Sequence, residues 1–304
     1  MAEVAQPGAL AGARLERAFD RVPAAALLLG AMITFQVGGA LGVWVLPAFG
    51  ALGTAWVRTA ISGALLCLVA RPSVHGLERQ AVAVVIALGL VLAGSNAAFY
   101  LAVARIPIGA VVTVSFVGPL AVALFGSRRP RDFAWVALAA VGVGLFGGLP
   151  GGAALAPAGL AFAALDGILW GAYAILAKRI GALIPASQGL TLATLIATVA
   201  LLPLVPSGFN ASAMSPKVVA AMAGVGLFTA LPYLLEFAAL QRMATATYGV
   251  LVSLEPALAT IIGIVMLGQH PTPTEAAAVV LVVVASVGAS RSSGAAVAAD
   301  VGEA

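Results

Sequence analysis

Apolar runs long enough to cross a bilayer follow one another along the whole chain, and few folds can carry so many. In lipid every backbone N–H and C=O must be satisfied within the protein, so only helices and closed barrels span it. Ten runs stand out, at roughly 23–45, 48–70, 81–104, 107–126, 133–149, 158–177, 188–205, 217–240, 246–268 and 274–290. Ala, Leu, Val and Gly dominate them, without the two-residue alternation of a membrane barrel. As helices, runs of about 20 residues match a ~30 Å hydrocarbon core. Hydrophobic residues make up 62% of the chain, charged residues 9%, and the mean hydropathy is +1.12. Those values exclude an ordinary water-soluble domain. The sequence predicts an all-α membrane protein of ten transmembrane helices.

Charge sets the expected orientation. Residues 1–21 are polar and carry Arg14, Arg17 and Arg21 ahead of the first apolar run. That run is too long for a signal peptide and nine more follow, so it reads as a retained first span. With the N-terminus in the cytoplasm, the inside segments collect Arg14, Arg17, Arg21, Arg71, Arg79, Arg128, Arg129, Arg131, Lys178, Arg179, Arg242 and Arg291. The outside loops hold only Arg105 and Lys217, and Arg58 lies within a span. Cationic loops stay on the cytoplasmic side, so both termini are expected there. The net charge of +4 is modest and SRRPR at 127–131 is the one dense basic tract, so nothing points to nucleic acid. The lone cysteine, Cys67, excludes an intrachain disulfide and reads as a small packing residue.

Two proline-broken runs reveal a duplication. In Arg242–Gly268 a single carboxylate, Glu255, precedes Pro256; in Arg105–Pro119 the proline recurs without the acid. A proline inside a helix frees the carbonyl four residues back, here at Val252 and Ser115. Arg105 to Arg242 and Pro119 to Pro256 are both shifts of 137 residues, and Pro47 to Pro185 is a shift of 138. The expected organisation is a tail at 1–21, a first repeat at 22–149, a linker at 150–157, a second repeat at 158–290 and a tail at 291–304. Five spans per repeat is an odd number, so the copies enter the membrane in opposite senses. In such inverted repeats the substrate site lies near the midplane between the copies.

Polar residues within the spans are the candidate site. Arg58, near the middle of the second span, must face a cavity or find an anion; it reads as a partner for a substrate carboxylate or as a counter-ion to Glu255. Asp166 shares a helical face with Trp170 and Tyr173 at i+4 and i+7. An acid beside aromatic faces can hold an ammonium, or can be absorbed in helix packing. Tyr233 and Glu236 follow Pro232 on one face, with Glu236 near the cytoplasmic end beside Arg242; Asn96 and Ser115 are the polar candidates of the first half. Glu255 is the favoured coupling residue. Removal from water favours a neutral carboxyl and a bound cation favours a charged one, and that competition is the simplest physics of proton-coupled exchange. Pro119, Pro232 and Pro256 are expected hinges. The glycines of QVGGALG (36–42) read mostly as close packing, with Gly38, Gly39 and Gly42 as alternative pathway-lining positions. No phosphate loop, zinc-ligand spacing, CxxC or serine–histidine–acid arrangement is present, so no cofactor, metal or enzymatic reaction is expected. His75 and His270 read as solvated residues.

The segments RIPIGAVVTVSFVGPLAVALFGSRRPRDFAWV and TALPYLLEFAALQRMATATYGVLVSLEPALATIIGIVMLG resemble the EamA-type transporters of the drug/metabolite transporter superfamily, in particular RhtA-type threonine/homoserine exporters. The resemblance runs from about Val22 to Ser290. It implies ten helices in two inverted five-helix repeats, a bacterial inner-membrane location, and efflux of small amphipathic metabolites. Its site residues map onto Arg58, Pro232, Tyr233, Glu236, Glu255 and Pro256. The pattern often has Glu at the position of Ser115 and Thr at that of Val117, and a small residue at that of Asp166. In this chain the acid inventory has moved.

The expected function is export of small amino acids such as threonine and homoserine, coupled to protons, by alternating access within the bilayer. Two rivals are an exporter of organic cations, drugs or other metabolites, and a membrane scaffold that transports nothing.

Overall fold

The computed structural model describes residues 22–124, 130–146, 155–240, 242–243 and 245–302. Arg14, Arg17, Arg21, Arg128, Arg129 and most of the 150–157 linker lie outside the described residues. Among those described there are helices and no strands.

The first helical run, α1, is Ala24–Ala70, 47 residues. At 1.5 Å per residue it would extend about 70 Å if straight, over twice the hydrocarbon thickness. It reverses instead at Gly50, where φ is 63° and ψ is −178°. That conformation is open to glycine almost alone, so the turn sits at Gly50, just inside the run expected at 48–70. The neighbouring Ala48 carbonyl accepts the Asn210 N–H at 2.8 Å, which ties the bend to the later chain.

The remaining helices are α2 (Arg79–Val103), α3 (Ile108–Ser115), α4 (Val117–Leu124), α5 (Pro130–Leu145), α6 (Pro157–Gly181), α7 (Ala186–Leu201), α8 (Pro216–Leu240), α9 (Thr245–Val252), α10 (Glu255–Leu267) and α11 (Pro273–Gly302). After α7 the chain tightens into a 3-10 stretch, Leu202–Gly208, whose Pro203 and Pro206 cannot continue an α-helix. The run expected at 107–126 is broken at Phe116 into α3 and α4, and the run at 246–268 is broken at Ser253–Leu254 into α9 and α10. Both breaks lie just before the prolines that sequence singled out.

Two pairs of helices repeat at the predicted spacing. Arg79 to Pro216 and Val103 to Leu240 are both shifts of 137, and α2 and α8 each have 25 residues. Ile108 to Thr245 and Ser115 to Val252 are again shifts of 137, and α3 and α9 each have eight.

Among the described residues, six helical stretches are long and apolar enough to cross a membrane, and three shorter apolar helices accompany them. The helix α1 packs along α8, α2 against α6 and α7, α3 against α10, and α5 against α11. Large apolar side chains remain exposed on the outward faces, among them Leu68, Ile168, Val199 and Val265. A protein surrounded by hydrocarbon has no reason to hide them.

Candidate functional site

Glu255 is the first residue of α10, and Pro256 behind it explains why. The proline has no N–H for the Val252 carbonyl, so α9 stops at Val252 and a new helix starts after two intervening residues. The carboxylate therefore stands at a helix N-terminus, where the backbone dipole favours negative charge. It is only 7% exposed, and its Oε2 has no hydrogen-bond partner among the described residues. Leaving such an oxygen unpartnered costs about 1–3 kcal/mol, more when it is charged. The break itself is pinned by Ser253, whose hydroxyl pairs with that of Ser286 on α11 at 2.7 Å.

A second carboxyl stands nearby. Glu236 of α8 is half-buried, and the Tyr248 hydroxyl of α9 donates to its Oε1. Glu236, Tyr248 and Glu255 lie close enough to act on one another electrostatically, and Tyr173 of α6 reaches the same group. Glu236 thus turns inward to Tyr248. Tyr233 lies on α8, its side chain outside the described residues. Pro232 is buried, but α8 runs through it as one helix, so it makes no break like those at Phe116 and Ser253–Leu254. Its missing N–H leaves the Phe228 carbonyl free, and the backbone of α1 comes against that carbonyl at Gly38, where a Cβ would sit 2.7 Å from the oxygen.

The first-half break carries its own acid, supplied by another helix. At Gly167 of α6 a Cβ would lie 2.7 Å from the Ser115 carbonyl oxygen, and a side chain at Gly118 would run into the Gly167 carbonyl. Backbones meet there, and Asp166 is held at the α3–α4 break. Its Oδ1 accepts from Ser95 of α2 at 2.5 Å. The Ser115 hydroxyl lies against the same carboxyl and donates to the Ala163 carbonyl at 3.0 Å. Trp170 packs edge-on against Phe116, the residue at the break, with ring centroids 5.7 Å apart. The acid that sequence found missing at Ser115 is beside Ser115 in space.

Arg58 is 3% exposed and faces aromatic rings. Its guanidinium lies 4.6 Å from the centroid of Phe35, with Phe99 and Tyr100 at 5.8 and 6.0 Å. Nη1 donates to the Tyr100 hydroxyl at 3.5 Å, while Nε has no partner among the described residues. No carboxylate oxygen of the described residues is within ion-pairing distance of it, so the direct pair with Glu255 does not form.

Asn96 bonds within its own helix, and the glycines of QVGGALG, as expected, pack closely. The Asn96 amide donates to Leu92 of its own helix at 2.8 Å, while its neighbour Ser95 makes the contact across helices. Gly39 and Gly42 are packing positions, against Phe99 and Ile108 and against Tyr100. Sequence reasoning passed over Ser95, Tyr100, Tyr248 and Gln36. For Tyr248 a signal existed: it precedes Glu255 by seven residues, two helical turns. For Gln36 the signal was an amide in the middle of an apolar run.

Comparison with known proteins gives three findings. Residues 157–291 match the EamA-like transporter family. The chain is similar to the threonine/homoserine exporter RhtA of Escherichia coli strain K12, with 35% identity over 269 residues, covering 86% of this chain and 89% of that protein. The same exporter from Salmonella typhimurium strain SL1344 is 37% identical over 268 residues, with the same coverage. A crystal structure of a protein 22% identical superposes with a TM-score of 0.59, over 88% of this chain and 96% of its own, so the two share a fold.

Proposed function

This chain belongs to the EamA-like transporter family of the drug/metabolite transporter superfamily, alongside the RhtA-type exporters, and we propose that it exports threonine, homoserine and related small amino acids by proton-coupled alternating access. Its setting is a bacterial inner membrane crossed ten times, with both termini in the cytoplasm. Support for ten crossings comes from the reversal of α1 at Gly50 and from the two broken helices, each counted as one span. Support for two inverted repeats, 22–149 and 158–290 joined at 150–157, comes from the equal lengths of α2 and α8 and of α3 and α9 at a spacing of 137.

The observation that carries the substrate reading is a pair of buried, oppositely charged groups that each keep one atom without a hydrogen-bond partner among the described residues, Arg58 Nε and Glu255 Oε2. A free amino acid is a zwitterion, and it supplies a carboxylate for the first and an ammonium for the second. Buried polar atoms are almost always satisfied, so two unsatisfied ions of opposite sign in one membrane protein describe such a ligand. The α-ammonium and a proton then compete for Glu255. With substrate released outside, a proton takes its place and returns inward, which lets the proton gradient drive export. Asp166 and Glu236, each already hydrogen-bonded, tune the two breaks on either side. Rocking of one repeat on the other, hinged at Phe116 and at Ser253–Leu254, exposes the site alternately.

Three acids, Asp166, Glu236 and Glu255, against the single Arg58 favour one other substrate class, monovalent organic cations. Counterflow in sealed vesicles of purified protein separates the two. Labelled threonine is expected to accumulate against unlabelled threonine, faster with an imposed pH gradient, and Glu255→Gln is expected to abolish the gradient response. Inhibition by organic cations without inhibition by amino acids would overturn the amino-acid reading in favour of the other.

A further inference from the structure

Gln36 is a buried amide that neither the fold nor the charge pair explains. It is 1% exposed, it lies midway along the first segment of α1, and its Nε2 has no hydrogen-bond partner among the described residues. An unsatisfied amide in that position costs stability and gains nothing from packing that a leucine would not give.

Neighbouring contacts fix where it points. One turn before it, Met32 belongs with Leu28 to the cluster packed on Tyr248, Val252, Leu254 and Leu258, the residues around the α9–α10 break. One turn after it, Gly39 approaches Ile108, where a Cβ would lie 3.3 Å from Cδ1. The other methyl of Ile108, Cγ2, lies 3.0 Å from the corresponding Cβ position at Gly263 of α10. Gln36 is about 6 Å along the helix from Met32 and about 4.5 Å from Gly39. It therefore falls between those two levels, alongside α10 between the break and Gly263. On the other side its chain neighbour Phe35 lies against the Arg58 guanidinium, 4.6 Å from ring centroid to Cζ.

We propose that Gln36 is a specificity-determining residue that hydrogen-bonds the side-chain hydroxyl of the substrate; this rests on the amino-acid reading of the same site. Threonine and homoserine are one carbon skeleton, 2-aminobutyrate, hydroxylated at C3 or at C4. A residue that serves both must reach two positions and tolerate either polarity. Glutamine has the length and rotatable bonds to do so, and a hydroxyl both donates and accepts, so it satisfies a carboxamide in either orientation. With the carboxylate at Arg58 and the ammonium at Glu255, the side chain of the zwitterion is left for a third group, and the unpartnered amide lies alongside the half-helix that Glu255 begins. Sites built to hydrogen-bond a hydroxyl reject the analogue without one strongly, because the site group is then left unpaired.

The test is competition against labelled threonine counterflow by unlabelled threonine, homoserine and 2-aminobutyrate, in wild type, Gln36→Met and Gln36→Asn. Wild type is expected to prefer either hydroxylated amino acid over 2-aminobutyrate by about tenfold or more. The methionine variant keeps length without an amide, and its preference is expected to fall to within about threefold; the asparagine variant keeps the amide and should retain a preference. A Gln36→Met protein with the wild-type ratio overturns the proposal. So does a folded Gln36→Met protein that exchanges none of the three, because Gln36 then serves the transport cycle rather than selection. Wild-type protein that exchanges no amino acid at all overturns the proposed function itself, and this inference with it.

Discussion

Tyr248 donates to Glu236, and both stand beside Glu255. Two carboxyls set close together in lipid cannot both carry charge cheaply, and the phenol holds one of them in place. Tyr248→Phe removes the donor and leaves a half-buried carboxyl oxygen bare. Its expected cost is about 1–2 kcal/mol, at the lower end of the range for a lost partner because Glu236 is partly exposed. Thermal unfolding in detergent would register that as a lower Tm, and counterflow should slow several-fold. A Tyr248→Phe protein with unchanged exchange would place this pair outside the transport cycle. Asp166 offers a contrasting substitution. Asparagine at 166 can still accept the Ser95 hydrogen bond, whereas leucine leaves that hydroxyl and Ser115 facing hydrocarbon. Asp166→Leu should therefore unfold at markedly lower temperature than Asp166→Asn, by about 1–3 kcal/mol of stability. Equal stability of the two would mean that the Ser95 contact contributes nothing.

The element on which both breaks depend is the crossing of α3 with α10. Gln269, just beyond α10, accepts the Ile108 N–H at 3.1 Å and so caps the start of α3. The first N–H groups of any helix lack an internal partner, and Ile108 is fully buried, so this side chain supplies what water cannot. Gly268 turns the chain with φ at 64° to bring Gln269 there. Below the cap the helices are in backbone contact: a Cβ at Gly109 would lie 2.9 Å from the Thr260 Cα. Gly109→Val must push the two half-helices apart, at a cost of about 1–3 kcal/mol or more. Gln269→Leu should lower stability by a similar amount, and Gln269→Glu, which can still accept, by less. Unfolding midpoints of the three variants check that order; a leucine variant as stable as the glutamate one would deny the cap.

Over the whole molecule, the proposed topology sets the loop after α1 inside and the loop before α8 outside. His75 and Ser212 are exposed in those two loops. With Cys67 replaced by serine, a cysteine at 212 should react in intact cells with a membrane-impermeant thiol reagent. A cysteine at 75 should react only after the membrane is opened. The reverse pattern would invert the orientation. Labelling of both in intact cells would break the odd-numbered spacing on which inverted repeats depend.

What could be read along the chain was whatever depends on local periodicity or on a single residue's backbone. Run lengths and composition gave helices in lipid, Pro119 and Pro256 located two breaks to within a few residues, and the 137-residue shift anticipated the matching ends of α2 with α8 and α3 with α9. Resemblance in the ALPYLLE and SLEPALA segments pointed to the family. Tertiary structure alone decided which side chains meet. Arg58 turned to Phe35 and Tyr100 rather than to Glu255; Ser95, not Asn96, reached Asp166; and Tyr248 joined Glu236 beside Glu255. Neighbouring residues on a helix point about 100° apart, so a polar pair such as Ser95 and Asn96 is indistinguishable until the partner helix is in place. Partner helices are chosen by close backbone approach, at Gly167 on Ser115 and Gly109 on Thr260, and nothing in a single strand of sequence says which glycine faces which helix.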